Sequence, residues 1–154
     1  MKIVFTNSSL VFATKKELQY RTVSLQKKQI DLNTGIDSGP STEHENWNRM
    51  VSTEFVPITD NFIIIDNLSI QKVSICYYNN EKAFLGRSCE VNNDWVAIDN
   101  GKQFEVFSSE NYKKSSDFVS KSELQEKAKY YKLVTAFADS TATMKVAEGR
   151  TLSR

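Results

Sequence analysis

Few side chains in this sequence are placed to do chemistry. His44 is the single histidine, and it lies between Glu43 and Glu45 in a polar segment. A Ser–His–acid triad would have to use this residue, which we expect instead to be a solvated loop histidine. Cys76 and Cys89 form no CxxC or CxxH pair. We therefore predict buried free thiols and no zinc site, although the sequence leaves a disulfide between them open.

The acidic residues are concentrated in the middle of the chain, where residues 32–110 carry twelve carboxylates and five basic side chains. Most of these carboxylates fall at predicted turns, as Asp60, Asp66 and Asp99 do, and turn carboxylates usually bond to the local backbone. They form no convincing pair for glycoside hydrolysis, and no loop has EF-hand spacing. We therefore expect a non-enzymatic protein without a cofactor or a metal.

Three aromatic residues, Trp47, Tyr78 and Trp95, are the candidate ligand-binding residues. Exposed rings can stack on the apolar faces of sugars, and binding pockets combine such rings with a few polar groups. The alternation over residues 73–78 turns Tyr77 towards the core and Tyr78 towards solvent. Packing of the same rings in the core or in an interface is the alternative interpretation.

Short segments that favour strands occupy most of the chain. The clearest are residues 50–58, 62–65, 73–78, 83–86, 95–98 and 103–107, with further strands expected at 2–5, 10–13 and around 18–25. Asn100-Gly101 predicts a type I′ hairpin that joins 95–98 to 103–107. Residues 120–128 predict a short helix capped by Ser120, and residues 129–138 favour a strand over a continuation of that helix. This pattern is typical of an all-β, antiparallel, jelly-roll-like β-sandwich with one short helix.

The net charge of +1 hides basic ends and an acidic middle: +4 over residues 1–31, −7 over 32–110 and +4 over 111–154. A length of 154 residues allows one domain. We divide the chain into an N-terminal arm or anchor (1–29), a sandwich (30–138) and a C-terminal tail (139–154). In the N-terminal hairpin, the apolar residues expected to take part in assembly are Ile3, Phe5, Leu10 and Phe12. No apolar run could cross a membrane and no signal peptide is recognisable, so we expect synthesis in the cytoplasm. The basic footprint of a nucleic-acid binder is weak, and we expect neither a nucleic-acid nor a membrane partner.

Five segments, in this order, resemble β-sandwich modules of virion proteins from tailed phages of Bacteroidales, the crAss-like phages included. They are residues 30–35 (IDLNTG), 51–58 (VSTEFVPI), 62–65, 75–86 (ICYYNNEKAFLG) and 128–137 (AKYYKLVTAF). The chain departs from the pattern at Asn79, where Asp is usual, and at Tyr131-Lys132, where Ile-Arg or Val-Arg is common. No sugar-binding residue is carried over from the family.

The resemblance implies a structural component of a phage virion: a small fibre, decoration or adaptor protein of the head or tail. Its implied partners are capsid, portal or tail proteins, further copies of the chain in a homo-oligomer such as a trimer, and a host surface glycan. A stand-alone carbohydrate-binding module is the alternative, and a small carboxylate-pair hydrolase is the enzymatic one.

Overall fold

The computed structural model of this protein describes residues 19–26, 28–31, 34–40, 51–52, 54–58, 62–91, 93, 95–114, 120–137 and 142–147. Three sets of predictions therefore lie outside the described residues: the strands at 2–5 and 10–13, the four apolar arm residues Ile3, Phe5, Leu10 and Phe12, and the loop residues His44 and Trp47.

Fourteen strands and one helix occur in the described part of the chain. In chain order they are β1 (Tyr20–Val23), β2 (Leu25–Gln26), β3 (Lys28–Ile30), β4 (Asp37–Pro40), β5 (Val51–Ser52), β6 (Val56–Pro57), β7 (Phe62–Asp66), β8 (Ile70–Tyr78), β9 (Phe84–Cys89), β10 (Val96–Ala97), β11 (Gln103–Glu105), β12 (Asn111–Lys114), α1 (Lys121–Lys127), β13 (Tyr130–Phe137) and β14 (Thr143–Ala147). The predicted all-β fold with one short helix is confirmed.

Two antiparallel sheets share one apolar core. The smaller sheet has the order β1-β14-β7-β11, and the larger has the order β12-β9-β8-β13-β5-β2, with β10 also pairing with β8 and β6 with β13. Alternate residues of each strand point into the core. The core residues include Val23, Ile63, Ile65, Met144 and Val146 from the smaller sheet and Val73, Ile75, Tyr77, Tyr131 and Leu133 from the larger. The molecule is therefore a β-sandwich in which β8 and β13 form the centre of the larger sheet.

The helix and the strand that follows it form as predicted. The Ser120 side chain accepts a hydrogen bond from the Glu123 backbone N–H at 3.2 Å, and α1 then runs to Lys127. Leu124 is completely buried and belongs to the main core. Residues 130–137 continue as β13, which pairs with β8 along most of its length.

The predicted Asn100-Gly101 hairpin is wrong, because β10 pairs with β8 in the larger sheet and β11 pairs with β7 in the smaller. Asn100 is occupied elsewhere: its amide nitrogen donates to Leu68 O at 3.0 Å, and its amide oxygen accepts from Leu68 N at 3.1 Å. Gly101 N donates to Ile65 O at 2.7 Å. The turn is thus bonded to the β7–β8 connection, and it carries the chain from one sheet to the other.

The two sheets include strands that lie outside residues 30–138, the range predicted for the sandwich. Strands β1 and β2, placed in the arm, are edge strands of the smaller and the larger sheet. Strand β14, placed in the tail, lies between β1 and β7, and its Met144 is completely buried. Tyr20 pairs with Ala147, so the first residue of β1 lies beside the last residue of β14.

The single strand predicted over residues 50–58 is divided into two short strands, β5 and β6, which both pair with β13. Phe55 lies between them and packs on the outer face of the larger sheet. In the described part of the chain, no helix is long and apolar enough to cross a membrane.

Candidate functional site

The turn between β8 and β9 is held by hydrogen bonds to the backbone and the side chain of Asn79. Asn79 N donates to Ala83 O at 2.9 Å, and Lys82 N donates to Asn79 O at 2.9 Å. The Asn79 side-chain oxygen accepts two further hydrogen bonds, from Glu81 N at 2.8 Å and from Ala83 N at 3.0 Å. An Asn side chain that caps a turn in this way fixes its own orientation. Its oxygen is used by the fold, and its amide nitrogen remains as a donor for a ligand.

Phe84, the first residue of β9, is held in place by a hairpin that covers the outer face of the larger sheet. Strands β3 and β4 pair with each other, and the turn between them contains Gly35 in the left-handed region, at φ +71°. A Cβ at Gly35 would lie 2.3 Å from the Phe84 ring. Only glycine allows this approach, so the hairpin packs its backbone directly against the ring. Tyr78 closes the contact by donating from its hydroxyl to Gly35 O at 2.8 Å.

Lys129 lies opposite the turn, in the short connection between α1 and β13. Its backbone is fixed on both sides, because Lys129 N donates to Tyr78 O at 2.8 Å and Ile58 N donates to Lys129 O at 2.9 Å. Among the described residues, the Lys129 ammonium group has no carboxylate partner. Lys127, at the end of α1, is paired with Glu123 at 3.1 Å.

These residues line one cleft of about 570 Å³. Its lining is Asn79 and Asn80 from the turn, Ala83, Phe84 and Leu85 from the start of β9, and Lys127 and Lys129. The volume lies within the range of small-molecule sites. The cleft thus offers a partly exposed ring, amide donors and an ammonium group. Together these groups suit a polar ligand that has an acidic group and an apolar face.

A second group of aromatic residues lies beside this cleft. The Lys132 ammonium group is 4.4 Å from the centroid of the Phe55 ring, and Lys82 lies 5.3 Å from the same ring and 5.2 Å from that of Tyr130. Phe55 also packs edge-to-face against Tyr78, with centroids 4.9 Å apart. Each lysine thus gains a cation–π contact, and neither has a carboxylate partner within the described part of the chain. The two cations add positive charge around the β8–β9 turn.

The prediction that Tyr78 faces solvent is wrong. Tyr78 does point to the outer face of the larger sheet, but that face is covered, and the residue is only 2 % exposed. It belongs to a second apolar cluster with Ile30, Cys76 and Val134. Its ring therefore offers no free face to a sugar.

Of the other two predicted ligand-binding residues, Trp95 is half-buried and packs against this same second cluster. Trp47 lies outside the described residues. The structure does not bring Tyr78 and Trp95 together as an exposed platform, and the open cleft is instead at the β8–β9 turn.

The two cysteines are free and buried, as predicted. Burial raises the pKa of the Cys76 thiol to about 12, although Arg87 and Lys132 act in the opposite direction. A thiol with so high a pKa is a poor nucleophile and a poor metal ligand at neutral pH. No cluster of three His, Cys, Asp or Glu side chains that could hold a metal occurs among the described residues.

Sequence reasoning missed the residues that build the cleft, namely Gly35, Asn79, Phe84 and Lys129. In the sequence, residues 79–82 indicate a hairpin turn, and Lys129 falls at the start of the strand predicted over 129–138. One signal was present: Cys76 and Tyr78 make the second face of β8 apolar, which indicates a strand covered on both sides. It could not indicate which segment covers it.

Comparison of the chain with protein-family models, with curated proteins and with solved structures finds no match. The interpretation of the site therefore depends on its geometry, and the resemblance to phage virion proteins stays a prediction.

Proposed function

We propose that this chain is a non-enzymatic structural protein of a phage virion, a small fibre, decoration or adaptor protein of the head or tail. The observation that carries the proposal is the pairing of Tyr20 with Ala147, which brings the start of β1 and the end of β14 to one place on the sandwich. Residues 1–19 precede β1 and residues 148–154 follow β14, and they have net charges of +2 and +1. Two basic segments that join the sandwich at neighbouring residues suit its attachment to a larger assembly.

Attachment would use the arm. Residues 1–13, with Ile3, Phe5, Leu10 and Phe12, would add to a capsid, portal or tail protein or to another copy of the chain. Added strands supply main-chain hydrogen bonds and buried apolar area without any catalytic group. The basic charge of the segments would steer the arm to an acidic surface, where electrostatic complementarity sets orientation and association rate more than affinity.

The resemblance supports the same proposal at the level of the fold. Two of its segments, IDLNTG and ICYYNNEKAFLG, contact each other through Gly35, Tyr78 and Phe84. They act as one packing unit, in which the hairpin of the first covers the central strand of the second. We propose a homo-oligomer, with a trimer as its form, and a virion location after synthesis in the host cytoplasm.

The test is incorporation into particles. The phage that encodes the chain is propagated with either the full chain or a chain lacking residues 1–16, and purified particles are labelled with an antiserum raised against the sandwich. We expect gold label on particles that carry the full chain and none on particles from the truncated one. The truncated chain should still fold, as judged by circular dichroism. Particles without label in both cases would refute the virion proposal, and equal labelling would refute the role of the arm.

The alternative function is a stand-alone carbohydrate-binding module, which the open cleft at the β8–β9 turn favours. Such a module would not bind its glycan on a platform of Tyr78 and Trp95, because Tyr78 is buried. A glycan array with the isolated chain distinguishes the two sites. Glycan binding that is lost in Trp95→Ala would support a site at Trp95, and binding that this variant retains would support the cleft.

A further inference from the structure

We propose that the cleft at the β8–β9 turn binds an acidic saccharide, such as a uronic-acid oligomer. This inference rests on the alternative function, glycan binding at the cleft, which it deepens, and it does not depend on the virion location. The ligand class follows from three features of the lining: the direction of the amide donors, the charge, and the position of the one partly exposed ring.

The Asn79 amide is the specific element. Because its oxygen is held by Glu81 N and Ala83 N, the group that can meet a ligand is the amide nitrogen, which only donates. A donor of fixed orientation suits a carboxylate or a hydroxyl oxygen. An Asp at this position would cap the turn equally well, but it would present a negative oxygen to the cleft.

The charge around the cleft also favours an anion. Lys129 lines it without a carboxylate partner among the described residues, and its backbone is fixed by two hydrogen bonds. Strand β7 ends at Asp66 and β8 begins at Ile70, so β8 runs back towards the end of the sandwich that holds Tyr20 and Ala147. The cleft therefore lies at the same end of the sandwich as Tyr20 and Ala147, on the other sheet, and Lys82 and Lys132 lie beside it. Positive charge at this end attracts an acidic ligand over several ångströms.

Phe84 makes a saccharide a better occupant than a simple anion or a peptide. The ring is half-buried and held rigidly by the Gly35 backbone, so a sugar ring can pack its C–H face against it without ordering a mobile side chain. The volume of about 570 Å³ accommodates one or two sugar units.

Isothermal titration calorimetry of the full chain with tetragalacturonate tests the inference, with maltotetraose as the neutral probe. The key variant is Asn79→Asp, which keeps the turn acceptor and replaces the amide donor by a negative oxygen. Its matched control is Asn111→Asp, the same change at the opposite end of the β9–β12 pair. Lys129→Ala removes the ammonium group from the cleft and provides the test if Asn79→Asp does not fold. Lys145→Ala, at an exposed position of β14, is the control for Lys129→Ala.

We expect binding of tetragalacturonate that weakens at least about tenfold in Asn79→Asp and in Lys129→Ala and changes less than about twofold in the two controls. Maltotetraose should bind far more weakly. Absence of tetragalacturonate binding, equal binding of maltotetraose, or an equal loss in the controls would overturn the inference. A single-stranded DNA that binds the cleft as tightly as tetragalacturonate would overturn the saccharide assignment. The antiserum labelling that tests the virion proposal does not depend on any of these binding results.

Discussion

The contact between Gly35 and Phe84 gives the sharpest test of how the second layer is held on the sandwich. In Gly35→Ala the new methyl group would lie 2.3 Å from Cδ1 and 2.9 Å from Cβ of Phe84. Two costs combine. A non-glycine residue in the left-handed region costs about 1–2 kcal/mol, and overpacking of a filled site costs a further ~1–3 kcal/mol. We expect the free energy of unfolding to fall by about 2–5 kcal/mol.

Gly101→Ala is the matched control, because the chain provides a second glycine with nearly the same backbone. Gly101 has φ +78°, but the nearest atom to its new methyl group is 3.8 Å away, on Asp66. Only the backbone cost of about 1–2 kcal/mol then applies. The difference between the two variants isolates the clash with Phe84.

Urea unfolding followed by circular dichroism measures both variants, provided that the slope with denaturant stays constant. Phe84→Ala and the double variant Gly35→Ala/Phe84→Ala complete the set, since alanine lacks the Cγ and Cδ1 atoms that the new methyl group would meet. We expect the double variant to lose at least ~1 kcal/mol less stability than the sum of the losses in Gly35→Ala and Phe84→Ala. Equal stabilities of Gly35→Ala and Gly101→Ala, or strict additivity in the double variant, would refute the proposed packing.

Three further predictions concern other parts of the fold. Cys76, with its thiol buried and its pKa raised to about 12, should not react with Ellman's reagent at pH 8 until the chain is unfolded; rapid reaction of the folded chain would contradict the buried cluster. Ser120→Ala should lower the free energy of unfolding by about 1 kcal/mol in urea titration, because the cap on Glu123 N is lost, and an unchanged midpoint would show that the cap does not contribute. The hydrogen bond from Arg21 lowers the pKa of Glu54 below its ordinary value of 4.5, so this pair stabilises the fold above that pH and ceases to do so as the pH falls through the lowered pKa. Because both side chains are about one-third or more exposed, Glu54→Gln should cost less than about 1 kcal/mol at pH 7, and in thermal melts the difference from the parent should shrink as the pH falls through the lowered pKa of Glu54; a difference that stays constant with pH would exclude the ion pair as its cause.

The parts of the fold that depend on neighbouring residues could be predicted from the sequence. The helix has its cap at Ser120, and the β-branched and aromatic residues of 130–137 form β13. In both cases the local preference and the tertiary packing agree, so the pattern of one segment is sufficient.

The errors have a common physical cause: contacts between distant segments. Asn100-Gly101 has strong local turn chemistry, but Leu68, about thirty residues earlier, takes both hydrogen-bonding groups of the Asn100 amide. Tyr78 lies on the predicted face of β8, and the hairpin that contains Gly35 buries it.

Strand β14 was missed for a different reason. Residues 139–154 are polar and basic as a whole, and that composition concealed a short alternation in which Met144 and Val146 are buried and Thr143 and Lys145 are exposed. A period of two over only five residues is a weak signal. The consequence for the proposed function is large, since this strand places Ala147 beside Tyr20.

The candidate site depends even more on tertiary structure. No motif connects Asn79, Phe84 and Lys129 in the sequence, and their common cleft exists because β8 pairs with both β9 and β13. The residue types at Asn79-Asn80 predict a polar turn, and only the sheet order places that turn beside Lys129 in one cleft.

The most direct test of the central claim is the distribution of the chain in a lysate of the phage that encodes it. Particles are separated on a caesium chloride density gradient, and each fraction is analysed by quantitative mass spectrometry for this chain and for the major capsid protein. The virion proposal predicts that the chain bands with the capsid protein at a constant ratio, in a copy number that is a multiple of three if the oligomer is a trimer. A chain that remains in the soluble fractions, with no enrichment in the particle band, would contradict it.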